Sequence, residues 1–105
     1  MRRFIICTNS ANGPLNGLTT HQRNSITMFL KFSGWGTWHW FEDLWLVLIP
    51  EGHPMTPAVM RRAISGMVGA TKHVIVMELD GDVTYSGMGP KEGWPWMAEK
   101  WGKPE

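Results

Sequence analysis

Three carboxylates at alternate positions, Glu78, Asp80 and Asp82, form the pattern in this sequence that is closest to a site for a hard metal ion. Carboxylates spaced in this way can converge on Ca²⁺ or Mg²⁺, which both prefer oxygen ligands. An apolar run ends just before them, however, and Asp-Gly is a common two-residue hairpin turn. We therefore interpret the pattern as the end of a strand and a polar turn, and we expect neither a metal ion nor a cofactor.

The histidines and the single cysteine indicate packing more than catalysis. Histidine is the commonest general acid or base, but His39 stands between Trp38 and Trp40, and a histidine in an aromatic strand is more often a cross-strand packing partner. Cys7 lies in an apolar strand without a charged neighbour that would activate it, so we expect a small buried residue. No second ligand stands at metal-binding spacing from the other histidines, which are His21, His53 and His73. We therefore assign no catalytic residue.

Basic residues are concentrated in the first part of the chain. The first 41 residues contain four Lys and Arg residues and no acid, whereas the rest contains six against nine acids. Such a surface can follow the phosphate backbone of a nucleic acid while exposed Trp rings stack on its bases. A solvated helix face is the alternative interpretation. The candidate nucleic-acid-binding residues are Arg2, Arg3, Arg23, Lys31, Arg61 and Arg62.

The elements that would position these residues follow the order strand, helix, strand, strand, helix, strand. Thr19 and Gln22 have the spacing of a capping box, and Thr56 before Pro57 marks a second helix start. A polar loop over residues 9–17 joins the first strand to the first helix. The predicted strands cover about residues 3–8, 37–41, 44–49 and 73–79, and the helices about 20–33 and 57–68. This order is typical of an α+β, ferredoxin-like βαββαβ domain, with a four-stranded antiparallel sheet and two helices on one face.

One face of that sheet has no predicted cover. The run from Leu44 to Ile49 is apolar at every position, whereas the two helices can cover only one face, so several hundred Å² of apolar surface would stay exposed, roughly the size of an interaction site. The Trp-rich C-terminal segment, at about residues 92–105 of this single domain, either binds a partner or covers its own core, and we keep both alternatives. The predicted dimer or partner interface consists of Trp45, Val47, Ile49, Val74, Val76, Trp94, Trp96 and Trp101.

Four short stretches carry a family resemblance: FIICTN, WGTWHWFEDLWLV, HVIVMEL and the closing YSGM with WPWMAEKW. With them the chain resembles the SinR-like family, which is similar to the small ferredoxin-like endoribonuclease-type subunit of CRISPR adaptation complexes. The resemblance implies a ferredoxin-like fold and a homodimer paired through its sheets. In the CRISPR relatives an Asp at the tip of the first strand is proposed to hold a metal ion. The matching position here is Asn9, and we place the carboxylates of Asp80 and Asp82 at the opposite edge of the sheet, so we expect no metal-dependent cleavage.

These observations narrow the function to contact with other macromolecules. The longest apolar run has six residues, too few to span a membrane, and we find no signal peptide, so a cytoplasmic protein without a membrane partner is expected. We favour a small non-enzymatic interaction protein that acts as a homodimer on an unidentified protein partner, in the manner of a phage- or plasmid-type modulator. The alternative is a nucleic-acid-binding or metal-dependent endonuclease module. A net charge of +1 does not by itself favour nucleic acid.

Overall fold

A computed structural model describes residues 1–9, 17–69, 71–89 and 91–105 of the chain. The predicted loop over residues 9–17 lies mostly outside this part. Within the described ranges, no helix combines the length and the apolar character needed to cross a membrane. The elements are, in chain order, β1 (Arg2–Thr8), α1 (Thr20–Phe32), β2 (Gly36–Phe41), β3 (Leu44–Ile49), α2 (Pro57–Val68), β4 (Val74–Leu79), β5 (Thr84–Tyr85), a 3-10 turn (Lys91–Gly93), α3 (Trp94–Trp96) with a π-helical turn (Met97–Trp101), and β6 (Lys103–Pro104).

The α+β class and the four-stranded antiparallel sheet are confirmed, with the strand order β2-β3-β1-β4. The central strand β1 pairs on one side with β3, where Phe4 lies opposite Val47, and on the other with β4, where Ile5 lies opposite Met77. Besides the two long helices there is a third, short one, α3, because the C-terminal Trp residues form a brief helical segment, as the sequence also predicts.

The two long helices begin where their capping residues predict. In α1 the Thr19 hydroxyl accepts a hydrogen bond from the Gln22 amide (3.1 Å), and the Gln22 side chain accepts one from the Thr19 amide (2.9 Å). This reciprocal pair satisfies two amides that the first helical turn leaves free. In α2 the hydroxyl of Thr56 accepts from the amide of Val59 at 3.2 Å. The sequence signals for both helices are therefore confirmed by their geometry.

The main core lies between the two helices and one face of the sheet. Its strand residues include Trp45, Val47 and Ile49 of β3, all fully buried, and Val74 and Val76 of β4 pack against its margin. Trp45, Val47 and Ile49 therefore face the protein's own helices and not an open sheet face, as the interface prediction had assumed, whereas Val74 and Val76 are half-buried beside them. An unbroken apolar strand does not reveal which of its alternating positions faces the helices, and a choice that is off by one residue exchanges the two faces.

Around β2 and β3 the other face of the sheet is covered by the C-terminal segment, residues 83–89 and 91–105. Leu46 and Leu48 of β3 form a second core cluster with Met97 and Trp101, and Trp101 is only 3% exposed. The end of the chain is held by hydrogen bonds from the Lys103 amide to the Val83 carbonyl and from the Glu105 amide to the Tyr85 carbonyl, both 2.9 Å. Of the two alternatives for this segment, cover for its own domain is thus the observed one.

A close backbone approach at Gly102 provides a test of this cover. A Cβ atom added at Gly102 would overlap the carbonyl oxygen of Val83 and lie 3.0 Å from its carbonyl carbon, and backbone atoms cannot rotate away. We expect Gly102→Ala to lower the free energy of unfolding by about 1–3 kcal/mol, as overpacked sites do. Urea unfolding followed by Trp fluorescence measures this change.

The matched control is Gly66→Ala, in the interior of α2. Nothing lies within 4 Å of a Cβ atom added there, and alanine is the better helix former, so this variant should gain about 0.5–1 kcal/mol. Equal effects of the two substitutions would contradict the tight packing of Gly102 against the backbone of Val83.

Candidate protein-interaction site

A layer of aromatic rings forms the contact between the sheet and the C-terminal segment. It contains five of the seven Trp residues of the chain. Trp38 of β2 stacks on Trp96, with ring centroids 6.2 Å apart, and Trp96 stacks in turn on Trp101. Trp40 meets Trp94 edge to face at 4.5 Å. Such pairs hold large rings in fixed positions and add to the stabilisation from burial.

An aromatic cleft runs between the end of the β2–β3 hairpin and the C-terminal segment. It consists of three adjoining hollows of about 300, 240 and 330 Å³. The first two share Trp40, Phe41 and Met88, and the last two share Tyr85, Ser86, Gly87 and Trp94. At its rim Phe41 is 61% and Met88 is 93% exposed, an unusual position for large apolar side chains.

A second apolar surface, which we name the β4 strip, consists of Cys7, Ile75 and Met77. Cys7 pairs with Ile75 across the sheet, and these side chains point to the face opposite the helices. The C-terminal segment leaves Ile75 61% and Met77 46% exposed. Within the described residues no strand pairs with the outer edge of β4. This combination of an open edge and exposed apolar side chains is what a sheet presents to a partner.

The thiol in this strip is not poised for chemistry. Cys7 is half-buried, and burial raises its pKa because the thiolate loses solvation. It therefore stays a protonated thiol at neutral pH, and a thiol is a poor nucleophile. A hollow of about 190 Å³ beside it is lined also by Thr8, Asn9 and His73.

Arg2 and Glu78 are engaged with each other rather than with a ligand. Arg2 donates to the two carboxylate oxygens of Glu78 at 2.7 and 2.9 Å and to the carbonyls of His53 (2.6 Å) and Met55 (2.7 Å). These hydrogen bonds lower the pKa of Glu78 below its ordinary value. Asp80 caps the amide of Gly81 in the exposed turn at 3.0 Å. Across the described residues, no three His, Cys, Asp or Glu side chains come together as a metal site.

Two further basic candidates also make internal contacts. Arg3 donates to the carbonyl of Trp101 and so connects β1 to the C-terminal segment. Arg23, only 5% exposed, forms an ion pair with Asp43 at 3.1 Å. The remaining candidates for nucleic-acid contact lie exposed on the helices, and they are Lys31, Arg61 and Arg62.

Asp43 is the carboxylate that the sequence reasoning overlooked at the tip of β1. The β2–β3 turn brings it next to Thr8, whose hydroxyl donates to it at 2.7 Å and whose amide donates to its backbone carbonyl at 3.0 Å. This is the strand end that carries Asn9. The carboxylate is nonetheless occupied by Arg23 and Thr8, so it forms a structural ion pair.

His39 is confirmed as a cross-strand packing partner. Its ring stacks on the directly opposite Trp45, with centroids 4.3 Å apart and planes 8° from parallel. Its Nε2 lies 2.9 Å from the Glu42 carbonyl, which can only accept, so Nε2 carries the proton. Nδ1 then accepts from the Thr27 hydroxyl at 3.3 Å, and that hydroxyl accepts from the Trp45 indole N–H at 2.9 Å. Both ring nitrogens therefore have structural partners.

The structure brings only part of the predicted interface to one place. Trp94 and the almost completely buried Trp101 line the aromatic cleft, whereas Trp96 supports it by stacking on Trp38. Sequence reasoning missed Trp38, Trp40 and Phe41 as members of this surface. Their signal was the alternation of Trp38 and Trp40, which puts both rings on the face of β2 opposite His39.

Comparisons of the chain with protein-family models, with curated proteins and with solved structures found no match. The resemblance to the SinR-like family therefore stays a prediction.

Proposed function

We propose that this protein is a small interaction protein, without enzymatic activity of its own, that forms a homodimer and binds a protein partner. The observation that carries the proposal is the β4 strip, where Ile75 and Met77 stand exposed beside an unpaired sheet edge. Exposed edges of this kind are normally shielded by charges, bulges or covering segments. A second copy is the simplest cover for this one.

The proposed dimer pairs two β4 strands in antiparallel fashion. A two-fold axis passes between the Val76 residues of the two copies. Ile75 of each copy then lies opposite Met77 of the other, and the two Ile75–Met77 pairs lie on the same face of the joined sheet. Each copy would then contribute two large apolar side chains, and complete burial of one such side chain stabilises by about 1.5–3 kcal/mol. The two four-stranded sheets would also become one continuous sheet.

We also propose that the domain is of the ferredoxin-like type and is a relative of the SinR-like family. The support is the order of the six principal elements, the antiparallel strand order β2-β3-β1-β4 and the position of both long helices on one face. The sequence stretches that carry the resemblance coincide with β1, with β2 and β3, with β4 and with the C-terminal segment.

The dimer is tested with the same substitution at two equally exposed methionines. Met77→Lys places a charge in the β4 strip, where the side chain is 46% exposed. We expect the dissociation constant of the dimer to rise at least tenfold, because the charge would be buried at the interface without a partner. Met28→Lys, on α1 where the side chain is 49% exposed, should leave the dimer unchanged. Analytical ultracentrifugation at protein concentrations from about 1 to about 300 µM measures the dimer dissociation constants of the two variants and of the wild type. A wild-type monomer throughout that range, or equal effects of the two variants, would refute the proposal.

The alternative function, nucleic-acid binding or metal-dependent cleavage, has weaker support. Arg2, Arg3 and Arg23 already make contacts inside the protein, and Asp43 at the tip of β1 is paired with Arg23. Three exposed basic residues on the helices are all that remain of the predicted surface. Each phosphate contact adds to the salt dependence of binding, so such a small set would bind weakly at physiological salt.

A further inference from the structure

The aromatic cleft combines aromatic rings with carboxylates, and we propose that it binds an arginine side chain presented by a protein partner. This inference rests on the proposed function as an interaction protein, because it names the chemistry of the partner. It concerns a different surface from the β4 strip, so the two can be tested separately.

The charged side chains that line the cleft indicate whether it binds an anionic or a cationic ligand. Glu92 lines the first hollow and Glu105 lines the third, and the lining residues whose side chains the structure describes include no Lys or Arg. A phosphate group would therefore meet the carboxylates of Glu92 and Glu105 and be repelled by them. A cationic side chain instead finds a complementary charge at both ends of the cleft.

The aromatic side chains favour a planar cation. In the first hollow Trp38 and Trp40 have ring centroids 6.1 Å apart and planes tilted by 51°, and Phe41 stands at 84° to Trp40. All three rings line this hollow, and an aromatic ring attracts a cation that lies over its face. A guanidinium group can stack on a ring and at the same time donate two hydrogen bonds to one carboxylate, which an ammonium group cannot do in a plane.

The rings are held in place before any ligand arrives. Trp38 is backed by Trp96, and Trp40 is backed by Trp94 and by the backbone of Gly93, against which its ring packs directly. A rigid site avoids the entropic cost of ordering its own side chains on binding. The exposed Met88 at the rim is flexible and can adapt to the aliphatic part of the ligand.

The middle hollow adds a requirement for the residues next to the arginine. Its lining includes Leu44, Leu46, Tyr85 and Met97, and none of the lining residues whose side chains the structure describes is charged. An apolar side chain close to the arginine would bury surface there. The partner segment is therefore a basic and apolar one.

The test compares N-acetyl-arginine amide with N-acetyl-citrulline amide, which has nearly the same shape without the charge. Titration to millimolar concentration, followed by NMR of the indole N–H signals, should show saturable shifts with arginine and binding about tenfold weaker with citrulline. Glu92→Gln should remove most of this difference, and Phe41→Ala should weaken arginine binding several-fold. Glu99→Gln, which neutralises an exposed carboxylate outside the three hollows, is the matched control and should change nothing.

Equal binding of arginine and citrulline, or equal loss in the Glu92 and Glu99 variants, would overturn the proposal. N-acetyl-lysine amide binding as tightly as arginine would overturn the assignment of a guanidinium group. If the wild-type protein dimerises through the β4 strip but does not bind arginine, only the arginine-binding inference is rejected. A monomer that still binds arginine rejects only the proposed dimer.

Discussion

Truncation of Trp101 to alanine is expected to destabilise the domain by about 3–5 kcal/mol, the usual cost of removing a large buried aromatic side chain. The ring is 3% exposed and packs with Leu46 and Leu48 on the face of the sheet away from the helices. Its loss would leave a cavity between the sheet and the C-terminal segment. Because a small domain has a total stability of only about 5–15 kcal/mol, this variant should melt far below the wild type.

Urea unfolding of Trp101→Ala and of the wild type measures this effect. Phe32→Ala is the control, because that ring is 82% exposed at the end of α1 and its removal should cost less than about 0.5 kcal/mol. Deletion of residues 92–105 should cost at least as much as Trp101→Ala and should also expose Leu46 and Leu48 to solvent. An unchanged midpoint in the Trp101 variant would mean that the segment is not the cover of this sheet face in solution.

The second large effect is expected at the ion pair between Arg23 and Asp43. The side chains are 6% and 20% exposed, so removal of one partner leaves the other charge mostly buried and unpaired. We expect Arg23→Met to cost about 2–4 kcal/mol, somewhat less than a completely buried pair because Asp43 retains some solvent. Asp43→Asn should cost a similar amount, since it keeps a polar group for Thr8 but leaves the guanidinium of Arg23 without its counter-charge.

A double-mutant cycle distinguishes this pair from two independent contributions. The Arg23→Met/Asp43→Asn variant should be more stable than the sum of the single effects predicts, with a coupling energy of about 1 kcal/mol or more. Arg61→Met, at an exposed position of α2, is the control and should change stability by less than about 0.5 kcal/mol. Strictly additive effects would show that α1 and the β2–β3 turn are not coupled through this contact.

The local elements were determined by the sequence. The capping box of Thr19 and Gln22 and the Thr56-Pro57 pair mark helix starts because they satisfy backbone groups within a few residues of each other. The apolar run of Leu44 to Ile49 fitted a helix or a strand by itself, and its aromatic and Pro/Gly flanks favoured the strand that is observed. The aromatic neighbours of His39 predicted its cross-strand stacking. The four strands and two long helices were therefore predictable to within one or two residues at each end.

Only the tertiary structure decided which side of the sheet each residue faces. Trp45, Val47 and Ile49 on the one side and Leu46 and Leu48 on the other are equally apolar, so composition cannot tell the two sets apart. The period of two in a strand makes the assignment depend on long-range packing against helices and the C-terminal segment. For this reason the sequence prediction placed Trp45, Val47 and Ile49 of β3 on the wrong face of the sheet.

The same limit applies to the charged and aromatic residues of the candidate sites. Arg2 meets Glu78 across 76 positions of the sequence, and Arg23 meets Asp43 across 20. Whether a basic residue is free for a partner depends on such contacts, which no local pattern encodes. The aromatic cleft likewise forms because the C-terminal segment folds back over β2 and β3, and as a result Glu92 lines the same hollow as Trp38 and Phe41. Propensity and capping act between neighbours in the chain, whereas surfaces form between residues that are distant in it.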